Sequence, residues 1–359
     1  MTARVWGKDV FIMLGIDTSK ATLQCALRDP QTQCVLWDLE FANSESGVAK
    51  LLKEAPSGVH WVIEPTGRYS VTVVRQAQAA GRTVLLAPPR KAKDYLRSLQ
   101  SRAKTDKLDA RGLALFGLSR PLAQYPVKEE ALDTIDQLLS ARKGLSHSIT
   151  RLQLQSNELP AAKEVLDKAI TLLKTELKDL DKLIAGRTAS EPKMAAAKEL
   201  RKVPGIGAVT SAAICSRLAN KGFARPDQFV AYIGLDIAVH ESGTRKGKRG
   251  LTHQGDAELR RLLYCCAQAS LRAKGTPFNA QYERELAKGL PTTAALCAIA
   301  RKMAKLCWAL YTHKAKYDPS RVYTSPPRGR HAASEALQLA TAAGETLASD
   351  QAGPNSKAK

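Results

Sequence analysis

The sequence lacks the features that define several classes of protein. Its seven cysteines form no CxxC pair and show no spacing to histidine typical of a metal site, so they predict small core residues in a reducing compartment. No apolar run is long enough for a transmembrane helix, and the N-terminus has no signal-peptide pattern. These absences predict a cytoplasmic protein without a membrane partner, in the compartment that also holds bacterial DNA.

Acidic residues are scarce: 34 stand against 55 basic ones, for a net charge of +21. The excess is uneven, with +7 in residues 1–127, zero in 128–199, +13 in 200–323 and +1 in 324–359. Because a strongly basic protein favours polyanions, two cationic modules flanking a neutral segment predict nucleic acid as the partner.

The first 127 residues have the pattern of an α/β domain. Apolar runs predict strands at 10–16, 22–28 and 34–41, then a helix at 44–54, a strand at 59–63, a helix at 68–80, a strand at 83–87 and helices at 88–99 and 105–118. This is the element order of an RNase H-like fold, in which the sheet lies between helices.

The remaining segments are predominantly helical. Residues 128–199 carry apolar positions at spacings of three and four, which predicts an α-helical coiled coil interrupted at Pro160. The pattern fits two helices paired within one chain as well as a contact between subunits, and we expect the latter. Residues 200–323 predict a mainly α domain around a loop rich in glycine and lysine, and 324–359 predict a disordered tail.

Four acidic residues stand where an RNase H-like fold would bring them together. Asp17 follows the first predicted strand, Glu64 follows the fourth, and Asp106 and Asp109 lie one turn apart near a helix start. Converging carboxylates need a cation, and hard oxygen ligands select Mg²⁺ or Mn²⁺. Each acid alone could equally cap a turn or a helix, whereas together they predict a metal site for phosphoryl transfer.

The glycine-rich loop of the second domain contains a candidate nucleophile, Ser242. A serine needs a base or a metal to attack phosphorus, and no His–Asp pair is evident nearby, although His240 is close. Spacing alone therefore leaves Ser242 as either a nucleophile or a polar turn residue in a phosphate-binding loop. The loop cations predicted to contact nucleic acid are Arg245, Lys246, Lys248 and Arg249.

Two further segments are candidate nucleic-acid contacts. Gly205 and Gly207 stand in a turn similar to a helix-hairpin-helix, which would present backbone amides to a phosphate, although a simple helix-start turn fits equally well. Arg260 and Arg261 complete the predicted set.

These motifs, in order, resemble the IS-110 family of insertion-sequence transposases. The resemblance spans about residues 10–323 and rests on GIDTSK (15–20), EPTG (64–67), KTDKLDAR (104–111), VPGIG (203–207), FVAYIGL (229–235), ESG (241–243) and LRRLLY (259–264). The sequence departs from the family pattern at Ile237, where proline is frequent, and at His240, where tyrosine is frequent.

The resemblance implies a RuvC-like N-terminal domain in which Asp17, Glu64, Asp106 and Asp109 bind metal. It implies Ser242 as the nucleophile of a phosphoserine intermediate, made with the metal site of another subunit of a dimer or tetramer. It also implies guidance by a structured non-coding bridge RNA that pairs with target and donor double-stranded DNA.

Two other functions would use parts of this pattern. A junction-resolving endonuclease would need the four acids but not Ser242. A packaging protein would need only the basic modules, and acids at its polyanion surface would weaken binding.

Overall fold

The computed structural model describes residues 3–5, 8–99, 105–126, 129–238, 241–242, 245–246 and 250–322. Contacts divide the chain into two compact units, 1–130 and 131–359. The helices of the predicted middle segment therefore group with those of the C-terminal domain. The tail 324–359, predicted to be disordered, lies outside the described residues.

The first unit contains seven strands and four helices among its described residues. They are β1 Ala3–Val5, β2 Lys8–Val10, β3 Met13–Thr18, β4 Thr22–Arg28, β5 Val35–Ala42, α1 Glu45–Glu54, β6 His60–Ile63, α2 Val71–Ala79, β7 Val84–Leu86, α3 Pro89–Leu99 and α4 Asp106–Ser119. The mixed α/β order confirms the class expected from the sequence. The predicted strand 10–16 was placed too early, because Val10 belongs to the small β1–β2 ladder.

The main sheet has the order β5-β4-β3-β6-β7, with β3–β4 and β4–β5 antiparallel and β3–β6 and β6–β7 parallel. Successive side chains of a strand point to opposite faces. Leu14 and Ile16 accordingly pack with residues of α1 and α2, whereas Met13 packs with residues of α3 and α4. The sheet thus lies between two helical layers.

The contact between α4 and the sheet depends on Gly15 of β3. A Cβ atom at this position would overlap the carbonyl oxygen of Ala110 and the amide nitrogen of Ala114. Only glycine allows the helix backbone to approach the central strand so closely. The position of α4 over β3 is therefore fixed by backbone contact.

The second unit is mainly helical, as expected. Its elements are α5 Glu130–Glu158 (which begins at the last residue of the first unit), α6 Lys163–Ser190, α7 Ala197–Leu200, α8 Ala208–Lys221, α9 Pro226–Ile233, β8 Ile237–Ala238, β9 Glu241–Ser242, β10 Arg245–Lys246, β11 Gly250–Leu251, α10 Ala257–Ser270, α11 Pro277–Ala287 and α12 Thr292–Thr312. Its core is built by α8, α9, α10 and α12, together with Leu132, Ile135 and Leu139 from α5 and Ile184 from α6.

Helices α5 and α6 form an antiparallel pair within the chain. Arg142 Nε lies 2.6 Å from Asp181 Oδ1, and the Ser156 hydroxyl lies 2.7 Å from Asp167 Oδ1. The turn between the helices contains Pro160, as predicted, because proline cannot continue α5. Ile170 is one of the regularly spaced apolar residues of the predicted coiled coil, and it is buried within this single chain. At this position the apolar spacing therefore reflects packing within the chain. A coiled coil between subunits stays a prediction.

The cysteines only partly match the expectation of core positions. Cys25, Cys215, Cys266 and Cys307 are buried, whereas Cys34 and Cys265 are exposed. Burial raises the pKa of the Cys215 thiol to about 12, which keeps it protonated and unreactive. None of the helices in the described part of the chain is both apolar and long enough to span a lipid bilayer.

Candidate active site

Asp17 and Glu64 are placed side by side by the pairing of two parallel strands. Ile16 of β3 is in register with Ile63 of β6, and the two acids are the next residues in each strand direction. Glu64 follows its strand, as predicted. Asp17 lies inside β3 rather than after it, because β3 continues to Thr18 and pairs Asp17 with Gln24.

Both acids belong to the sheet face that carries α4. Asp17 is two residues beyond Gly15, which contacts α4, and Glu64 is two residues beyond Val62. A Cβ at Gly117 of α4 would lie 2.6 Å from a methyl group of Val62, so that residue also faces the helix. Since side chains two apart in a strand share a face, the alternation directs Asp17 toward α4. Glu64 is the first residue after β6, and continuation of the strand direction would give it the same face as Val62.

The other two acids stand in the first turn of α4. Thr105 is the N-cap of this helix, and its side chain accepts a hydrogen bond from the Leu108 amide. Asp106 is therefore not the N-cap of α4. The Asp106 side chain is exposed, and Asp109 is half-buried. Asp109 directly precedes Ala110, the residue whose carbonyl oxygen contacts Gly15.

Face and register thus assemble the predicted acids around one edge of the sheet. Their oxygen atoms are suited to Mg²⁺ or Mn²⁺. Within the described residues, however, no three acidic, histidine or cysteine side chains are close enough together to hold one ion. The arrangement therefore supports a metal site by placement and by donor chemistry, and the coordination itself stays a prediction.

The loops that carry Asp17 and Glu64 are braced against each other. The Ser19 hydroxyl closes the turn to β4 by accepting from the Thr22 amide at 2.9 Å. The Asn43 side-chain amide donates to the Ser19 carbonyl at 2.7 Å and to the Tyr69 carbonyl at 2.9 Å. One side chain therefore ties the segment after Asp17 to the segment after Glu64.

Arg111 ties α4 to the edge strand β5 on the same face of the sheet. Its guanidinium pairs with Asp38 of β5, with the Nε–Oδ2 distance at 2.7 Å. The Asp38 side chain is only 9% exposed. This hydrogen bond raises the pKa of Arg111 above its usual range. The bond also anchors the turn of α4 that follows Asp106 and Asp109.

Ser242 lies on a β-hairpin rather than in an irregular loop. Strands β8 and β11 pair at the base, and β9 and β10 pair farther along, with Ser242 opposite Arg245 and Glu241 opposite Lys246. The predicted contacts Lys248 and Arg249, and His240, lie outside the described residues.

The base of this hairpin is attached to the helical core. The Thr252 amide donates to the Asp236 carbonyl at 3.0 Å. Arg301 of α12 donates from Nε to the Leu235 carbonyl at 2.8 Å. The backbone before Ser242 is therefore held by the core.

The other predicted nucleic-acid contacts take part in packing. Arg260 donates to the Ile233 carbonyl at 2.7 Å, which satisfies the end of α9, and Arg261 pairs with Glu258 on the same helix. Gly205, at φ +89°, fits closely against the Cys266 carbonyl of α10, while Gly207 is the exposed N-cap of α8. Their contacts with nucleic acid stay predictions.

Sequence reasoning missed three features of this region: the close approach at Gly15, the Arg111–Asp38 pair and the basic face of α3. The glycine before Ile16-Asp17 was a detectable signal, since glycine inside a strand often marks a close backbone approach. The ion pair joins residues 73 positions apart and leaves no local pattern. The basic residues of α3 were visible in the sequence as part of the general charge excess.

Comparison with known proteins covers both units. Residues 14–159 match the family model of the DEDD transposases of the IS110 type, and residues 197–283 match the model described as "Transposase IS116/IS110/IS902 family". The first range contains all four acids, and the second contains Ser242.

Curated relatives match most of the chain. The "Transposase for insertion sequence element IS1111A" of Coxiella burnetii is 26% identical in an alignment 352 positions long, which covers 86% of this chain and 92% of the relative. The "Pilin gene-inverting protein" of Moraxella bovis is 24% identical in an alignment of 316 positions that covers 85% of this chain and 97% of the relative. A "Probable family 20 transposase" of Pseudomonas aeruginosa is 26% identical in an alignment of 284 positions that covers 68% of this chain and 82% of the relative.

Proposed function

Since the chain belongs to the IS110 family of transposases and is an enzyme that acts on DNA, we propose that it recombines DNA by metal-dependent cleavage, strand exchange and rejoining through a phosphoserine intermediate. The observation that carries this proposal is the placement of Asp17, Glu64, Asp106 and Asp109 around one sheet edge, on the face covered by α4.

The acids would hold one or two Mg²⁺ ions, which supply charge neutralisation at the scissile phosphate. Carboxylates repel one another until a cation neutralises them. The protein's contribution is rigid positioning: one acid in β3, one directly after the adjacent β6, and two on a helix fixed by Gly15 and by Arg111. Such preorganisation is the main way in which proteins stabilise the charge of phosphoryl transfer.

Ser242 is proposed as the nucleophile. Its Oγ forms a bond to phosphorus while the bond from phosphorus to one strand oxygen breaks, and that oxygen takes up a proton as the serine loses one. In rejoining, a strand hydroxyl attacks the same phosphorus and Ser242 leaves with a proton. The number of phosphoester bonds is constant, so resealing requires no ATP. The backbone register of the hairpin pairs Arg245 with Ser242, which supports a role for Arg245 in binding the phosphate that Ser242 attacks.

Guidance by a structured bridge RNA is part of the proposal. It is supported by membership of the family and by the net positive charge of residues 1–127 and 200–323. Binding to RNA and to duplex DNA should weaken steeply with salt, since each phosphate contact contributes about −0.9 to the log–log slope on a duplex and about −0.7 on a single strand.

Association of subunits is also proposed, through the outer face of the α5–α6 pair. Val165 and Leu172 of α6 are 72% and 63% exposed, and Leu154 of α5 is 59% exposed. Large apolar side chains grouped on a helical pair are typical of a protein contact. Light scattering should give a lower molar mass for the Leu172→Lys variant than for the wild type, because a lysine charge buried in the contact would separate the subunits. Lys174→Glu, an exposed position on the opposite side of the same helix, is the control, and an unchanged mass for Leu172→Lys would refute this surface as the contact.

The metal site is tested by strand joining with purified protein, guide RNA and two DNA substrates. Asp17→Ala and Asp106→Ala should each abolish joining, because each removes a proposed metal ligand, and thermal melting checks that each variant still folds. Glu54→Gln on α1, which removes an acid from the opposite face, should join normally. Chelation of divalent ions should stop joining but leave RNA binding intact. Normal joining by Asp106→Ala would contradict the site.

Ser242→Ala separates this proposal from the junction-resolving endonuclease. A phosphoserine mechanism predicts that this variant binds RNA and DNA but neither cuts nor joins. Cutting at the wild-type rate would favour the endonuclease.

A further inference from the structure

Helix α3 has a strongly cationic outer surface. Its buried side is formed by Ala92 and Leu96, while Arg90, Lys91, Lys93 and Arg97 are exposed together with a single acid, Asp94. Arg90, Lys93 and Arg97 recur at intervals of three and four residues, so they lie on one stripe of the helix. Asp94 lies on the same stripe, which leaves it with a net charge of +2. The stripe is about 10 Å long at 1.5 Å per residue.

The stripe is rigidly positioned relative to the carboxylates by the packing of α3 on α4. A Cβ at Gly112 of α4 would overlap the Leu96 side chain, so the two helices are in close contact. The Tyr95 and Phe116 rings lie 5.3 Å apart, and the Arg120 guanidinium covers both. Both helices belong to the same sheet face as Asp17 and Glu64.

The helices run antiparallel, since Tyr95 meets Phe116 and Arg120, whereas Leu96 and Leu99 meet Gly112. The C-terminal end of α3 therefore lies toward the first turn of α4, which carries Asp106 and Asp109. Arg97 is the member of the stripe nearest to that turn, and Arg90 is the most distant.

These cations are not used for folding. Within the part of the chain that the structure describes, the side chains of Arg90, Lys93 and Arg97 take part in neither an ion pair nor a hydrogen bond. On the opposite face of the sheet, α1 balances Lys50 and Lys53 with Glu45 and Glu54. Helix α3, unlike α1, therefore carries a net positive charge, and it lies on the face with the acids, where an approaching phosphate backbone would otherwise be repelled.

We propose that Arg90, Lys93 and Arg97 form a phosphate-binding stripe that holds one polynucleotide strand and directs it toward the carboxylates. A strand of duplex rises about 3.4 Å per phosphate, so 10 Å of helix spans about three phosphates. The ligand chemistry is the phosphodiester backbone, in DNA or RNA. This inference rests on the proposed function for its direction toward the acids, but the stripe itself can be tested by binding alone.

The test measures the affinity of the full-length protein for a 20-base-pair DNA duplex and for a single-stranded RNA 20-mer, as a function of salt. The slope of the logarithm of the binding constant against the logarithm of salt concentration is negative, and in the double variant Arg90→Gln/Arg97→Gln it should become shallower. The expected change is about 1.8 if the stripe binds duplex DNA or about 1.4 if it binds single-stranded RNA. Lys50→Gln/Lys53→Gln, with the same loss of charge on the opposite face, should keep the wild-type slope. Arg90→Lys/Arg97→Lys should keep it as well, because a phosphate contact needs only the charge.

The outcomes separate the two proposals. A slope change on DNA alone identifies the strand as DNA, and a change on RNA alone identifies it as RNA. Equal slopes for the α3 and α1 variants would overturn the stripe, whether or not the wild type joins strands. A wild type that never joins strands, with the α3-specific loss intact, would overturn the proposed function and leave the stripe standing. Thermal melting of each variant checks that folding is unchanged.

Discussion

The carboxylates and the candidate nucleophile stand on backbones of opposite character. Asp17 lies in the central strand of a five-stranded sheet, with a helix packed directly on the neighbouring Gly15. Ser242 lies in a two-residue strand of a hairpin attached to the core at its base. A site that stabilises charge must be preorganised, whereas a group that carries a DNA strand between two bonds must be able to change partners. The contrast suits a division of labour between fixed acids and a serine on a hairpin.

The largest expected effect on stability tests the rigid half of this comparison. Gly15→Ala should lower the free energy of unfolding by about 3 kcal/mol or more, since overpacking against backbone cannot be relieved by moving a side chain. It should also impair joining by displacing Asp106 and Asp109. Gly250→Ala in β11 is the matched control, because a Cβ there has open space. Chemical denaturation measures both, and equal stability for the two variants would mean that α4 does not pack on Gly15.

A smaller effect on stability is expected from replacing the arginine that holds α4 or the arginine that holds the base of the Ser242 hairpin. Arg111→Gln leaves the nearly buried Asp38 without its partner and should cost about 1–2 kcal/mol, a value reduced because Arg111 is partly exposed. Arg301→Gln removes a bond to the neutral Leu235 carbonyl and should cost about 1 kcal/mol. The stability of each variant is again measured by denaturation. A larger loss of stability for Arg301→Gln than for Arg111→Gln would contradict the view that the acids stand on the more firmly held backbone.

Much of the first unit could be predicted because its signals are local. Strand β4 was predicted at both ends, since the Asp29-Pro30 turn marks where it stops. Helix α1 was predicted to within one residue because Ser44 is its cap. The acids were predicted to share one edge because strand order determines which ends are neighbours.

The parts that could not be predicted depend on long-range geometry or on very short elements. Nothing near Asp38 indicates that Arg111 pairs with it. The hairpin of Ser242 was interpreted as a loop because its strands have two residues each and lack an alternating apolar pattern. The apolar spacing of α6 fitted a helix of the same chain or of another subunit, because spacing does not identify the partner helix. The structure shows α5 of the same chain beside α6, and a contact with another subunit stays a prediction.

The most direct test of the account mixes two inactive proteins. Asp17→Ala lacks a proposed metal ligand and Ser242→Ala lacks the proposed nucleophile, and each alone should join no DNA. If Ser242 works with the carboxylates of another subunit, an equimolar mixture that is allowed to exchange subunits should recover part of the wild-type joining. In this mixture the covalent protein–DNA adduct should form only on the Asp17→Ala chain, which keeps Ser242. A size tag on one of the two proteins identifies which chain holds the DNA. No recovery, despite mixed oligomers of the expected mass, would contradict a site shared between subunits, and joining by Ser242→Ala alone would contradict the serine mechanism itself.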